Sequence, residues 1–213
     1  MKQIPSYLTR FFEKEEYALD FIRGKIRFGS LSYYRHYEGS RGDKTEGLQF
    51  FTWDRGIRYQ GSSVHEHYIL CTSGPDVDIY KMKTEMGQVV VRIENPQLLL
   101  EKIRSAWSDH RLSIGDRPAE IAQVVYDKGG VHEADPFLIA PPVYMQKPMQ
   151  PFAGEKEWRY VLTCRLQTER TAKRSETRPV LESSSGIYYF EDSSFDDHLE
   201  LNIGDCGEIC RFT

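Results

Sequence analysis

Residues 158–166 alternate without a break: Trp158, Tyr160, Leu162 and Cys164 point to one side, Arg159, Val161, Thr163 and Arg165 to the other. A period of two over that length predicts a strand whose aromatic face is turned to a core. Glu155 and Glu157 lead into it and extend the polar face. Two carboxylates one residue apart on a strand share a side and repel, so one is driven toward its neutral form unless a cation or ligand intervenes. At the open end of a core strand such a pair suits acid/base work or the stabilisation of a cation. The competing reading is structural, a solvated strand end in which Glu157 pairs with Arg159 or with a cross-strand Arg or Lys.

The other segments decide what such a strand can belong to. Residues 6–12 form a short aromatic strand, and 13–23 read as a helix, with acids in the first turn and Gly24 at the position of a C′ glycine. Residues 25–29 alternate briefly, whereas 30–47, rich in Tyr, Arg, Gly and acids, show no period and read as a long connection of the kind that is usually functional or mobile. Strands are expected over 67–73, 88–93 and 121–126 from their β-branched and aromatic content. Asn95-Pro96 signals a helix start, with Asn as cap and Pro in the first turn, so a helix is predicted over 96–107. Pro141-Pro142 and Lys147-Pro148 bracket irregular structure, and 168–178 read as a solvated loop whose Arg170, Lys173, Arg174 and Arg178 could meet phosphates. Residues 186–190, 199–203 and 208–212 supply closing strands. Strands and helices mix without a βαβ rhythm, which predicts one α+β domain over 1–213.

Composition removes several functional classes. A net charge of −4 argues against a broad electrostatic grip on nucleic acid. The aromatic share, 13%, is high enough to fill a core despite a modest hydrophobic content. No apolar run reaches spanning length and the N-terminus lacks an apolar signal core, so a cytoplasmic location without membrane attachment is expected. Cys71, Cys164, Cys206 and Cys210 are too few and scattered for a disulfide framework, and Cys71 and Cys164 read as small buried residues. Cys206 and Cys210 with His198 lack a further ligand pair, so no metal is expected. His65 and His67 read as surface residues. No phosphate loop or nucleophile elbow is present.

The order of the pieces resembles a family of uncharacterised bacterial domains linked to toxin and phage-defence loci. The carrying motifs are Tyr7-Leu8-Thr9-Arg10-Phe11, Phe28-Gly29-Ser30, Asp43-Lys44-Thr45-Glu46-Gly47, Cys71-Thr72-Ser73 and Glu155-Lys156-Glu157-Trp158-Arg159, spanning about residues 4–166. The arrangement is also similar to the ADP-ribosyltransferase superfamily, which places an Arg on the first strand, a Ser-Thr-Ser-like strand end in the middle and a Glu-x-Glu late. Cys71 replaces the first Ser, and the gap from Ser73 to Glu155 is long for that pattern.

The resemblance implies split antiparallel sheets with helices at their edges, and NAD as co-substrate. It implies a mono-ADP-ribosyltransferase, a glycosyl-transferring toxin or antiviral effector acting on a nucleic acid or protein acceptor and restrained by an antitoxin protein. A non-catalytic nucleotide- or partner-binding module and an NAD hydrolase are the alternatives. Within the resemblance Glu157 is the catalytic carboxylate and Glu155 the acceptor-side base. Thr9, Arg10, Tyr33, Tyr34, Thr72 and Ser73 are cofactor-binding, with Ser73 bracing Glu157 and a tyrosine from 33, 34 or 37 stacking on nicotinamide. Asp43 and Glu46 are loop candidates.

Overall fold

The computed structural model describes residues 3–36, 48–53, 57–62, 67–114, 118–127, 131–132, 145–164, 173–174, 188–189 and 197–213. The first half runs β1 (Leu8–Phe12), α1 (Glu15–Ile22), β2 (Lys25–Ser30), α2 (Leu31–His36), β3 (Leu48–Trp53), β4 (Ile57–Ser62) and β5 (His67–Ser73). Then come α3 (Ile79–Met86), β6 (Val89–Ile93), α4 (Pro96–Ser108), β7 (Glu120–Gln123), β8 (Val125–Asp127), β9 (Val131–His132) and β10 (Gln146–Pro148). A 3₁₀ turn over Phe152–Glu155 leads into β11 (Glu157–Thr163), followed by β12 (Lys173–Arg174), β13 (Tyr188–Tyr189), β14 (His198–Asn202) and β15 (Cys210–Phe212).

β5 organises the main sheet, which has eight strands and is antiparallel at every pairing. Its seven residues pair along their whole length with β11, and β11 pairs in turn with β7. The opposite edge of β5 is shared by two strands. β2 takes its beginning (Gly29↔Ile69, Ser30↔Tyr68), and β1 takes its end (Thr9↔Ser73). From there the sheet forks, β2 continuing to β14 and β1 continuing to β6 and β15. The Cys71 carbonyl lies between the two registers and would lack a strand partner there; Arg10 Nη1 donates to it at 2.7 Å.

One face of this forked sheet carries the main core. Leu8 and Phe12 of β1, Phe28 of β2, Leu70 of β5 and Tyr160 of β11 pack with Phe21 of α1 and Ile103 and Trp107 of α4. The helices therefore cover a face of the sheet, not its edges. α4 starts as its sequence predicts, with Asn95 Oδ1 accepting from Leu98 N at 3.0 Å, and the Tyr160 hydroxyl donates to the Pro96 carbonyl at 3.1 Å, tying the helix start to β11. The opposite face carries a small cluster of Leu31, Ile69 and Val161, with Tyr34 and Cys71 against it.

Several expectations are corrected. Among the described residues there are four helices, where two were expected: α2 lies in the stretch read as aperiodic, and α3, capped by Asp78 on Lys81 N, has Met82 as its buried residue. The strand expected over 121–126 is two, broken at Val124, whose N–H donates to the Glu157 carbonyl. His67 is buried and hydrogen-bonds through Nδ1 with Thr163 Oγ1 at 3.2 Å, so it is no surface histidine. Lys173 and Arg174 form a short strand, while Tyr37, Asp43, Glu46, His65, Arg170 and Arg178 lie outside the described residues. Among the described residues no helix is long and apolar enough to cross a membrane.

Gly24 joins α1 to β2 at φ +86°, and its carbonyl accepts from Ile203 N at 2.9 Å. A Cβ there would overlap the Gly204 carbonyl oxygen, so the position needs glycine for its conformation and for the approach of the C-terminal segment. Gly24→Ala is expected to destabilise the chain by about 1–3 kcal/mol. The check is urea unfolding, with a lower midpoint at an unchanged slope.

Candidate active site

Strand pairing decides which side chains meet on the second face. Thr9 lies opposite Ser73, Ser73 opposite Glu157, and Cys71 opposite Arg159, so the side chains of all five share that face. Tyr34 of α2, Met82 and Met86 of α3, and Lys147 of β10 wall the cleft above them, which encloses about 630 Å3 counting the space open to solvent.

Four charged side chains lie at its base. Arg159, fully buried on β11, places Nε 2.8 Å from Glu157 Oε1 and Nη2 3.3 Å from Glu157 Oε2. Lys147 Nζ sits between the two carboxylates, 3.0 Å from Glu157 Oε2 and 2.8 Å from Glu155 Oε2. The same ammonium lies 4.4 Å over the Phe152 ring. The Tyr126 hydroxyl accepts from Glu157 N at 2.9 Å, and the Cys71 thiol donates to the Glu157 carboxylate. Two anions and two cations thus share one buried volume.

The pair is electrostatically unequal. Burial would push the Glu157 carboxyl up, but the Arg159 guanidinium and the Lys147 ammonium outweigh it and hold it well below the usual carboxylate range. Glu155 goes the other way: burial, then the Glu157 charge beside it, push it up to about 7. Burial and the Glu157 anion also raise the Cys71 thiol and the Tyr126 hydroxyl far above neutrality, so both stay protonated. One carboxylate is a fixed anion and its neighbour exchanges a proton near neutral pH, the separation that acid/base sites use.

The residues picked out by sequence are brought together in part. Glu155, Glu157, Thr9, Arg10, Tyr34, Thr72 and Ser73 all line this cleft. Glu155 is not on the strand, however. It ends the 3₁₀ turn, and Lys156 turns through a left-handed conformation (φ 48°) before β11 begins, so the carboxylates converge through Lys147 and not through the pleat. Ser73 faces Glu157 in register, but Arg159, Lys147 and Cys71 hold that carboxylate. The Thr72 hydroxyl is committed to the Trp158 carbonyl at 2.9 Å.

Tyr33 is displaced from this set. It lies against His198, ring centres 4.3 Å apart, in a second cleft of about 1300 Å3, again counting open space, within the fork between β1 and β2. Arg10, Phe11 and Tyr34 line both clefts and join them. Cys71, read as a small buried residue, is partly exposed and faces the site. Sequence reasoning missed Lys147 and Tyr126; the dipeptide Lys147-Pro148 carried no signal beyond a break. Comparison with family models, curated proteins and solved structures finds no match to this chain.

Glu157→Gln keeps the shape and removes the charge that compensates two buried cations, so it is expected to cost about 3–5 kcal/mol of stability. Glu155→Gln should cost far less at neutral pH. Between the ordinary carboxylate value of 4.5 and about 7, folded Glu155 holds a proton that the unfolded chain has released, so its contribution to stability falls as pH rises through that window. Glu157 has the opposite sign: its contribution is full above the unfolded value and lost only as pH falls well below it. Urea midpoints at about pH 5 and about pH 8 check both points. The decline across that window should shrink in Glu155→Gln.

Proposed function

We propose that the chain is an NAD-dependent mono-ADP-ribosyltransferase that transfers ADP-ribose to a macromolecular acceptor, as an intracellular toxin or anti-phage effector. The observation that carries the reading is the unequal carboxylate pair at the base of a cleft beside a forked antiparallel sheet. NAD supplies a ribose carbon whose bond to nicotinamide breaks with development of positive charge, as at a glycosidic centre. The residues suit such a substrate. Glu157 is an anion that ordinary pH does not neutralise, and a carboxylate fixed in advance beside a developing cation is an efficient stabiliser. Glu155 is the group that takes the acceptor's proton when the acceptor attacks the ribose carbon and nicotinamide leaves with the bonding electron pair. Arg10 offers a guanidinium between two adjoining clefts, a place suited to a phosphate of a ligand with two ends.

A second reading has its own support. Arg159 and Lys147 already neutralise Glu157, which favours a module that binds a nucleotide or partner without turnover. Purified protein incubated with labelled NAD and cell lysate separates the two. Label on RNA, DNA or protein supports transfer, free ADP-ribose alone indicates an NAD hydrolase, and intact NAD supports the binder. Toxicity on expression is a companion measurement.

Because Glu157→Gln also destabilises, Glu155→Gln is the more telling variant. Transfer by the parent should rise with pH through a midpoint near that of Glu155, about 7. In Glu155→Gln that limb should vanish and transfer fall by about 10²–10⁴, NAD cleavage falling less. Transfer at the parental rate by Glu155→Gln would remove its role as base.

A further inference from the structure

Lys147 has no part in the mechanism drawn from the carboxylates, yet it is the group that both of them contact. Its place follows from backbone pairing. β10 runs parallel to β8 with Lys147 opposite Tyr126, and Tyr126 is itself bonded to the Glu157 amide. The ribbon thus delivers an ammonium and a hydroxyl together to the start of β11. The Lys147 side chain is 6% exposed, so bulk water screens its charge weakly.

The two carboxylates depend on it unequally. Glu157 has a partner of its own in Arg159, which grips it with two nitrogens. Among the described residues, the cation in direct contact with Glu155 is Lys147. The other charged or titratable groups around Glu155, again among the described residues, are Glu157 and Arg159 from β11, Tyr126 from β8, and Lys81 of α3, whose ammonium lies near Gly154 and pairs with Glu85. Cys71 from β5 faces the cluster from the far side of Glu157.

We propose that Lys147 is the positioning residue of this pair, its single ammonium bridging the two carboxylates and holding Glu155 beside Glu157. Without it, Glu155 is a buried carboxyl beside a negative charge, and its proton becomes harder to remove; Glu157 keeps Arg159 and stays ionised. The proposal deepens the transferase reading, on which its catalytic meaning rests, but its proton bookkeeping can be measured without substrate.

The test is a carboxyl-carbon NMR titration of protein labelled at glutamate, with no NAD present. Lys147→Met should raise the Glu155 midpoint by about one pH unit or more, a tenfold change in proton affinity. Lys147→Arg, which keeps the charge, should stay closer to the parent, and the rising limb of any transfer activity should move with the midpoint. In the parent, the Lys147 ammonium nitrogen resonance should shift with the Glu155 midpoint, which tests the contact even if Lys147→Met does not fold. A folded Lys147→Met protein with the parental Glu155 midpoint, or a parental ammonium signal blind to that titration, overturns the proposal. A shifted midpoint in Lys147→Met, together with a parent protein that leaves NAD intact, would sink the transferase reading alone.

Discussion

The buried ion pair between Arg159 and Glu157 is the interaction on which the site and much of the sheet depend. A guanidinium removed from water costs several kcal/mol unless an anion with good geometry compensates it. Arg159 occupies the middle of β11, itself held between β5 and β7, so it cannot swing out to solvent without breaking the sheet. Glu157 at the strand start meets that demand with two contacts to Arg159. Lys147 then adds a second buried cation, and Glu155 a second carboxyl whose proton decides whether the cluster is balanced in charge. The carboxylate best placed for chemistry is therefore also a structural necessity.

Arg10 plays a comparable part where the sheet divides. Two strands on one edge of β5 leave a carbonyl between them, and Arg10 fills that place while its guanidinium lies 5.2 Å and 5.6 Å from the ring centres of Phe12 and Phe21. A polar contact and an aromatic one hold the same side chain at the junction of the two clefts. That placement explains how a charged residue sits on a strand whose neighbours Leu8 and Phe12 are core.

What could be read from the sequence follows from which signals are local. The alternation of β11 is obeyed residue by residue, with Trp158, Tyr160, Leu162 and Cys164 in the core and Val161 on the other face. Both faces are nevertheless buried, so the polar side of the pattern lines a cleft and is not a solvated surface. β5 has the expected bounds, and α4 is announced by its Asn-Pro start. α3 escaped because a helix that buries little beyond Met82 has almost no apolar stripe to detect. Lys147 escaped for a different reason: its neighbours are set by β8 pairing with β10, a tertiary event that leaves no mark around residue 147. Glu155 was rightly associated with Glu157, but through the wrong geometry, since a left-handed Lys156 breaks the strand between them.

The fork also makes both arms of the sheet depend on one end of the chain. β14 finishes one arm by pairing with β2, and β15 finishes the other by pairing with β6, although both come from residues 197–213. Joining such distant partners carries a loop-closure entropy that local pairings do not. Ile203 and Cys206 then bind the backbone at Gly24 and Ile22, so the two arms are sewn together through one short stretch of chain. Detachment of that stretch would strip an outer strand from both arms at once, and would loosen the His198 wall of the fork with them.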